Sequence, residues 1–139
     1  MSPLPPFELP LEIQPGDIDA LDHVNNVVYL RWVQEAAIAH WTAAAPPEAQ
    51  AALFWVVARH EIDYRRSARL GDRIRAHTWV GAASERRYER HTDILREDGT
   101  LLSRARTLWC PMDRRTGRPT RVEDSVREAF STGSELEAE

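Results

Sequence analysis

The chain has no lysine: all 18 of its basic residues are arginine, set against 22 acids in 139 residues, for a formal net charge of −4. It has a single cysteine, Cys110, which excludes an internal disulfide framework and fits a reducing compartment. No apolar run approaches the roughly 18–20 residues needed to span a bilayer, and the start, MSPLPPFELP, lacks the basic-then-apolar order of a secretion signal. A soluble, cytoplasmic protein is expected, with no membrane partner. Several chemistries are missing as well. There is no G-x-S-x-G elbow, and Cys110 precedes Pro111 in an apolar stretch, so neither a serine nor a cysteine nucleophile is supported. The five histidines, at 23, 40, 60, 77 and 91, form no i, i+4 pair and have no cysteine partner, which argues against zinc. The run from Asp17 to Asp22 resembles a calcium loop only superficially, because Leu21 and Asp22 replace an oxygen ligand and the turn glycine, and the twelfth position is Val28. No metal is expected.

The charge that is present is unevenly placed. Residues 59–121 hold 16 arginines against nine acids, a surplus of seven, whereas both flanks are acidic. Guanidinium forks suit phosphate groups, so a basic strand-rich half beside an acidic loop fits an anionic carrier; solvated sheet faces would give the same composition. The acidic total and the lack of a basic run interleaved with aromatics argue against nucleic acid. Length and a 42% hydrophobic content fit one compact domain over residues 1–139, with its core in about 7–121. The acidic end, with Ser, Thr and Gly at 131–134, predicts a disordered tail over 131–139.

Ionisable groups crowd most densely in Gly16–Trp32, GDIDALDHVNNVVYLRW. Asp17, Asp19 and Asp22 are followed by His23, of a residue type that exchanges a proton near neutral pH. Asn25 and Asn26 then supply N-cap side chains before Val27, Tyr29, Leu30, Val33, Ala37 and Trp41, which recur at helical spacing and predict a helix over 26–40. The positive end of its dipole would face the acidic loop, a setting that favours a carboxylate, a phosphate or a developing oxyanion. The plainer alternative is that the acids only cap and solvate a helix start. Glu35, further along, reads as a solvated or paired surface group.

A first strand is expected over Phe7–Gln14, a short helical turn over Glu48–Leu53, and further strands over about 55–65, 72–82, 86–96 and 101–112. Ile74, Ala76, Thr78 and Val80 alternate with Arg73, Arg75, His77 and Trp79 in a half-buried pattern, and Asp98-Gly99 is a hairpin signal. This order suggests an α+β class: antiparallel strands wrapped round one long central helix. One helix covers one sheet face and leaves long strand edges that need a partner.

Asp19-Ala-Leu-Asp-His23-Val-Asn25-Asn26-Val-Val-Tyr29 resembles the D-x-x-G-H-V-N-N-x-x-Y signature of the hotdog-fold acyl-CoA thioesterases of the 4-hydroxybenzoyl-CoA thioesterase type. It is also similar to the D-x-N-x-H-V-N-N run of the plant acyl-ACP thioesterases. Val57–Tyr64 with Gly71-Asp72 resembles the family's second strand and turn, and Met112-Asp113 through Thr116-Gly117-Arg118-Pro119 its last strand end, so the likeness covers about residues 7–121. Asp22 stands where the family usually has glycine, and aspartate is one of the few residue types that tolerates left-handed backbone. Leu21 replaces the plant enzymes' asparagine, which favours the acyl-CoA form.

The resemblance implies a hotdog fold, a homodimer or homotetramer with its site at the subunit interface, and hydrolysis of an acyl-CoA or acyl-carrier thioester. It needs no cofactor beyond coenzyme A within the substrate. It implies Asp19 as nucleophile or general base, His23 and Asn25 as orienting groups, and an oxyanion donor from the backbone of the segment just before the second strand, near Phe54, Trp55 and Val56. Asp17 and Asp22 read as supporting. Arg66, Arg69, Arg86, Arg87 and Arg90 are candidate contacts to CoA phosphates. Trp32, Trp41, Phe54, Trp55, Trp79 and Trp109 would line an acyl pocket or fill the core. The alternatives are an acyl-thioester hydratase or dehydratase and a non-catalytic acyl-thioester binding module.

Overall fold

The computed structural model describes residues 5–84 and 86–130; the predicted tail over 131–139 lies outside the described residues. A short strand β1 (Phe7–Leu11) leads through a single 3-10 turn (Pro15–Asp17) into the long helix α1 (Asn26–Ala44). Then come α2 (Pro47–Ala52), β2 (Leu53–Tyr64), β3 (Ile74–Ala83), β4 (Tyr88–Arg96), β5 (Leu101–Asp113) and the five-residue α3 (Asp124–Glu128). The strands form one antiparallel sheet in the order β1-β3-β4-β5-β2, which leaves β1 and β2 as its edges.

Local chemistry accounts for the element ends. Asn25 caps α1 by accepting the Val27 N–H at 3.0 Å. The helix runs four residues beyond the predicted His40, because the alanines after Trp41 continue it until Ala45, which precedes Pro46 and so leaves helical geometry. β1 stops at Leu11 instead of Gln14: Ile13 turns into the core, and the Gln14 N–H is taken by the Asp17 carboxylate at 2.9 Å. β4 begins at Tyr88, so Arg86 and Arg87 lie in the turn before it.

Two apolar clusters sit between α1 and the sheet. The larger centres on Tyr29, Trp32, Ile74, Ile94 and Leu102, where each fully buried large aliphatic contributes about 1.5–3 kcal/mol. The smaller joins Ala45, Ala49, Val122, Val126 and Phe130 to the partly buried Trp41, Trp55 and Tyr88 at the far end of the helix. Between them lies a polar layer of Thr78, Thr92, Thr107, His40 and Arg90, all buried. Among the described residues no helix is long and apolar enough to cross a membrane.

Candidate active site

The acidic loop closes tightly onto the start of α1. The Asp19 N–H donates to the His23 carbonyl at 2.9 Å, Asp22 N–H to the Asp19 carbonyl at 3.0 Å, and Ile18 bridges Val24. Asp22 makes the turn with φ of 65°, the left-handed geometry its side chain tolerates in place of glycine. The half-buried Asp19 carboxylate accepts one hydrogen bond among the described residues, from the Leu21 N–H at 2.9 Å. Among the described residues no hydrogen bond joins that carboxylate to His23 or Asn25. His23 Nε2 instead lies 3.4 Å from Arg69 Nη2, and the Asn25 side-chain oxygen is occupied as the helix cap.

Asp17 has a different task. It is buried, and Arg31 grips it through two hydrogen bonds of 3.1 and 3.0 Å that hold its carboxyl below the usual carboxylate range. Glu35 pairs with Arg31 at 3.4 Å, as a helical i, i+4 neighbour.

At the other end of α1 a cavity of about 540 Å³ opens between the helix, the start of β2 and α3. Gln34, Ala37, Ile38 and Trp41 line it at helical spacing. Phe54, Trp55, Val56 and Trp109 line it from the sheet, with Tyr88 and Phe130. Trp41 meets Trp55 edge-on at 5.4 Å and stacks on Phe130 at 5.6 Å. Four of the aromatics singled out in the sequence therefore line this space. Trp32 lies in the larger core, and Trp79 stacks on His91, 5.5 Å away.

The backbone proposed for the oxyanion lies within β2, where Phe54, Trp55 and Val56 pair with Met112, Pro111 and Cys110. It is not in a preceding loop. Because β2 is an edge, every second N–H points away from β5 and is free to meet a ligand or a second chain. The Asp19 loop and this segment are not brought together within one chain. Tyr64, at the far end of β2, donates to the Asn26 carbonyl at 3.0 Å, while the cavity faces Trp41, about 22 Å further along the helix at 1.5 Å per residue.

The arginines divide likewise. Arg66 and Arg69 are exposed in the loop after β2, Arg69 beside His23; Arg86 and Arg87 are exposed in the turn before β4, at the cavity end. Arg90 departs from the expectation of a surface phosphate contact. It is 7% exposed, and its Nη1 donates to His40 Nδ1 and Thr78 Oγ1, both at 3.0 Å. A guanidinium only donates, so His40 Nδ1 is the bare acceptor nitrogen of a neutral ring. Burial, helped by the Arg90 charge, pushes the His40 pKa down to about 4, and burial lowers that of Arg90 to about 10. The signal for this arrangement was the alternation of Tyr88, Arg90, Thr92 and Ile94, which sets Arg90 in register with inward residues. Arg114, its guanidinium 5.9 Å from the Phe54 ring centroid, adds a basic group at the cavity that sequence reasoning did not single out.

A model of the thioesterase-like superfamily matches residues 13–130. A palmitoyl-acyl carrier protein thioesterase of Gossypium hirsutum chloroplasts is 28% identical over 131 residues, 87% of this chain; the chain spans 32% of that relative's length. Among solved structures, a thioesterase of Thermus thermophilus complexed with coenzyme A and Zn superposes with a TM-score of 0.77 at 23% identity, covering 88% of this chain and 90% of that one. A 1,4-dihydroxy-2-naphthoyl-CoA thioesterase from Synechocystis does so with a TM-score of 0.75 at 19% identity, covering 88% and 93%. These likenesses show the hotdog fold, with its five-stranded antiparallel sheet around a central helix.

Proposed function

Because the chain belongs to the thioesterase-like superfamily, we propose that it hydrolyses an acyl thioester, carried by coenzyme A, with Asp19 as nucleophile or general base. The observation that carries this reading is the Asp19 loop: a half-buried carboxylate that accepts a single hydrogen bond among the described residues, held at the start of α1 while its neighbour Asp17 is held by Arg31. In the general-base form, Asp19 takes a proton from water, whose oxygen bonds to the acyl carbon. The carbonyl oxygen becomes an oxyanion held by outward N–H groups of Phe54–Val56, the C–S bond breaks, and the thiolate receives the proton. His23 and Asn25 keep the loop in shape beside the reacting carboxylate, and Arg66 and Arg69 lie where they meet an anionic carrier.

The separation of Asp19 from Phe54–Val56 supports a homodimer with shared sites. Two β2 edges laid antiparallel about a two-fold axis bring the Tyr64 end of one copy, with its Asp19 loop, to the Phe54 end of the other. Val56 and Tyr64 on β2, and Ile38 beside it, are exposed apolar groups on that side. The same pairing brings Arg86 and Arg87 of one copy to the end that holds Arg66 and Arg69 of the other.

Thiol release from a panel of acyl-CoA and acyl-carrier-protein thioesters tests the activity. Asp19→Asn is expected to lower kcat by about two or more orders of magnitude, the scale of a lost acid-base or nucleophilic group. Near-normal turnover by that variant would remove Asp19 from the mechanism. Hydration of an enoyl-CoA without thiol release, or tight binding without either, would replace hydrolysis by the hydratase or binding reading.

A further inference from the structure

Arg90 is a cation almost without solvent in a wall of the aromatic cavity. Its hydrogen-bond partners are the neutral His40 ring and the Thr78 hydroxyl, and among the described residues no carboxylate pairs with it. Both bonds use Nη1, which leaves Nε and Nη2 without a partner among the described residues. Glu89, the carboxylate among the lining residues, is engaged elsewhere, by Arg106 and by His91 at 3.1 Å. A buried charge is costly unless an opposite charge and further hydrogen bonds meet it, and an anionic ligand would supply both here. Although burial lowers its pKa to about 10, the group still carries its charge at neutral pH.

The route from the reacting end to this cation is short and apolar. Val57, Trp109 and Tyr88 stand in one row across β2, β5 and β4, and Arg90 is the next residue along β4 on the same face as Tyr88. Two strand spacings across and two residues along place the Arg90 backbone about 12 Å from Val57. That is the reach of a medium-length acyl group running along the cavity wall that Trp41 and Trp55 line, with its thioester at Phe54–Val56.

We propose that this cavity selects an acyl group whose far end carries a carboxylate, so that the substrate is the half-thioester of a medium-length dicarboxylic acid and Arg90 is the specificity-determining residue. The proposal rests on the thioesterase reading. In it, the terminal carboxylate accepts hydrogen bonds from the free Nε and Nη2 while the methylene stem is shielded by the aromatic walls.

The test compares kcat/KM for thiol release from a medium-chain acyl-CoA and from its ω-carboxyl counterpart of matched length. The native protein is expected to favour the ω-carboxyl substrate by about tenfold or more, the usual worth of a charged hydrogen-bonded contact. Arg90→Met should bring that ratio near one, and Arg90→Lys should retain most of it. A native ratio of one or below, or an Arg90→Met ratio like the native one, overturns the proposal while leaving hydrolysis intact. If Arg90→Met loses its near-ultraviolet circular dichroism through misfolding, the native ratio and the Lys variant decide. If neither substrate releases thiol, the hydrolase reading fails instead. Calorimetric binding of the two CoA esters then decides, with tighter binding of the ω-carboxyl ester in support and equal binding against.

Discussion

Arg31 holds both oxygens of Asp17, so the carboxylate two residues before Asp19 is committed to keeping the loop against the helix. Asp17→Asn is expected to cost about 1–3 kcal/mol, the worth of hydrogen bonds to a charged group, and to lower kcat far less than Asp19→Asn; urea unfolding and thiol release on the same sample separate the two effects. The histidine in the polar layer gives a pH dependence of definite sign. The His40 ring ordinarily titrates near 6.5 and in the fold at about 4. Above pH 6.5 both states hold it neutral. As the pH falls from 6.5 towards 4 the unfolded chain binds a proton that the folded chain refuses, so stability drops, and below about 4 the loss levels off. His60, also lowered by burial, acts in the same direction. His40→Gln, which keeps an acceptor for Arg90, should therefore flatten the Tm profile over this window, by an amount on the order of 2 kcal/mol once partial solvent screening is allowed for. Identical profiles for variant and native protein would show that His40 contributes nothing. At this scale the sequence was informative where one residue acts on its immediate neighbours: Asn25 as cap, Asp22 in the left-handed turn, Glu35 as a paired surface acid. It was uninformative for the contact between Arg90 and His40, fifty residues apart, because that contact exists only once β4 lies under α1.

The strands and the long helix were legible because each is set by a short-range period. Ile74, Ala76 and Thr78 point inward with Tyr88, Arg90, Thr92 and Ile94, and a two-residue alternation expresses this without knowledge of the neighbours. Element ends were less legible, since β1 ends where Asp17 captures the Gln14 N–H and α1 continues through alanines that carry little pattern. The cavity was not legible as a space at all: its walls come from α1, β2, β3, β4, β5 and the segment after Val122, which meet only in three dimensions. That last segment is an element in its own right. The Val122 N–H donates to the Tyr88 hydroxyl at 3.3 Å, and Phe130 packs on both Trp41 and His40, at 5.6 and 4.7 Å. Phe130→Ala should cost about 3 kcal/mol, as for a buried aromatic whose site collapses only partly, and should open the cavity end. A urea midpoint unchanged from the native protein would mean that the segment does not close the cavity.

For the whole molecule, the proposed mechanism needs more than one chain: Asp19 and the outward N–H groups of Phe54–Val56 lie at opposite ends of β2. A twelve-residue edge strand with exposed apolar neighbours has hydrogen-bonding groups on its outer side to satisfy, and antiparallel pairing with its own copy would satisfy them and complete the two proposed sites at once. Light scattering at micromolar protein should therefore give at least twice the chain mass. A sharper expectation concerns which copy supplies which part. Ala37 is 6% exposed and lines the cavity, so Ala37→Phe fills it from the helix side and should abolish turnover, as Asp19→Asn does. In a mixed dimer of the two variants, one site combines an intact Asp19 loop with an intact cavity and the other combines both defects. Refolding the inactive variants together in equal amounts should restore about a quarter of native activity, because random pairing makes about half of the dimers mixed and each has one working site. If each chain used its own Asp19 and its own cavity, every site in the mixture would keep one defect and no activity would return. Such a result in a protein of dimeric mass would place the whole site within a single chain and require the loop to reach the cavity by a rearrangement of α1.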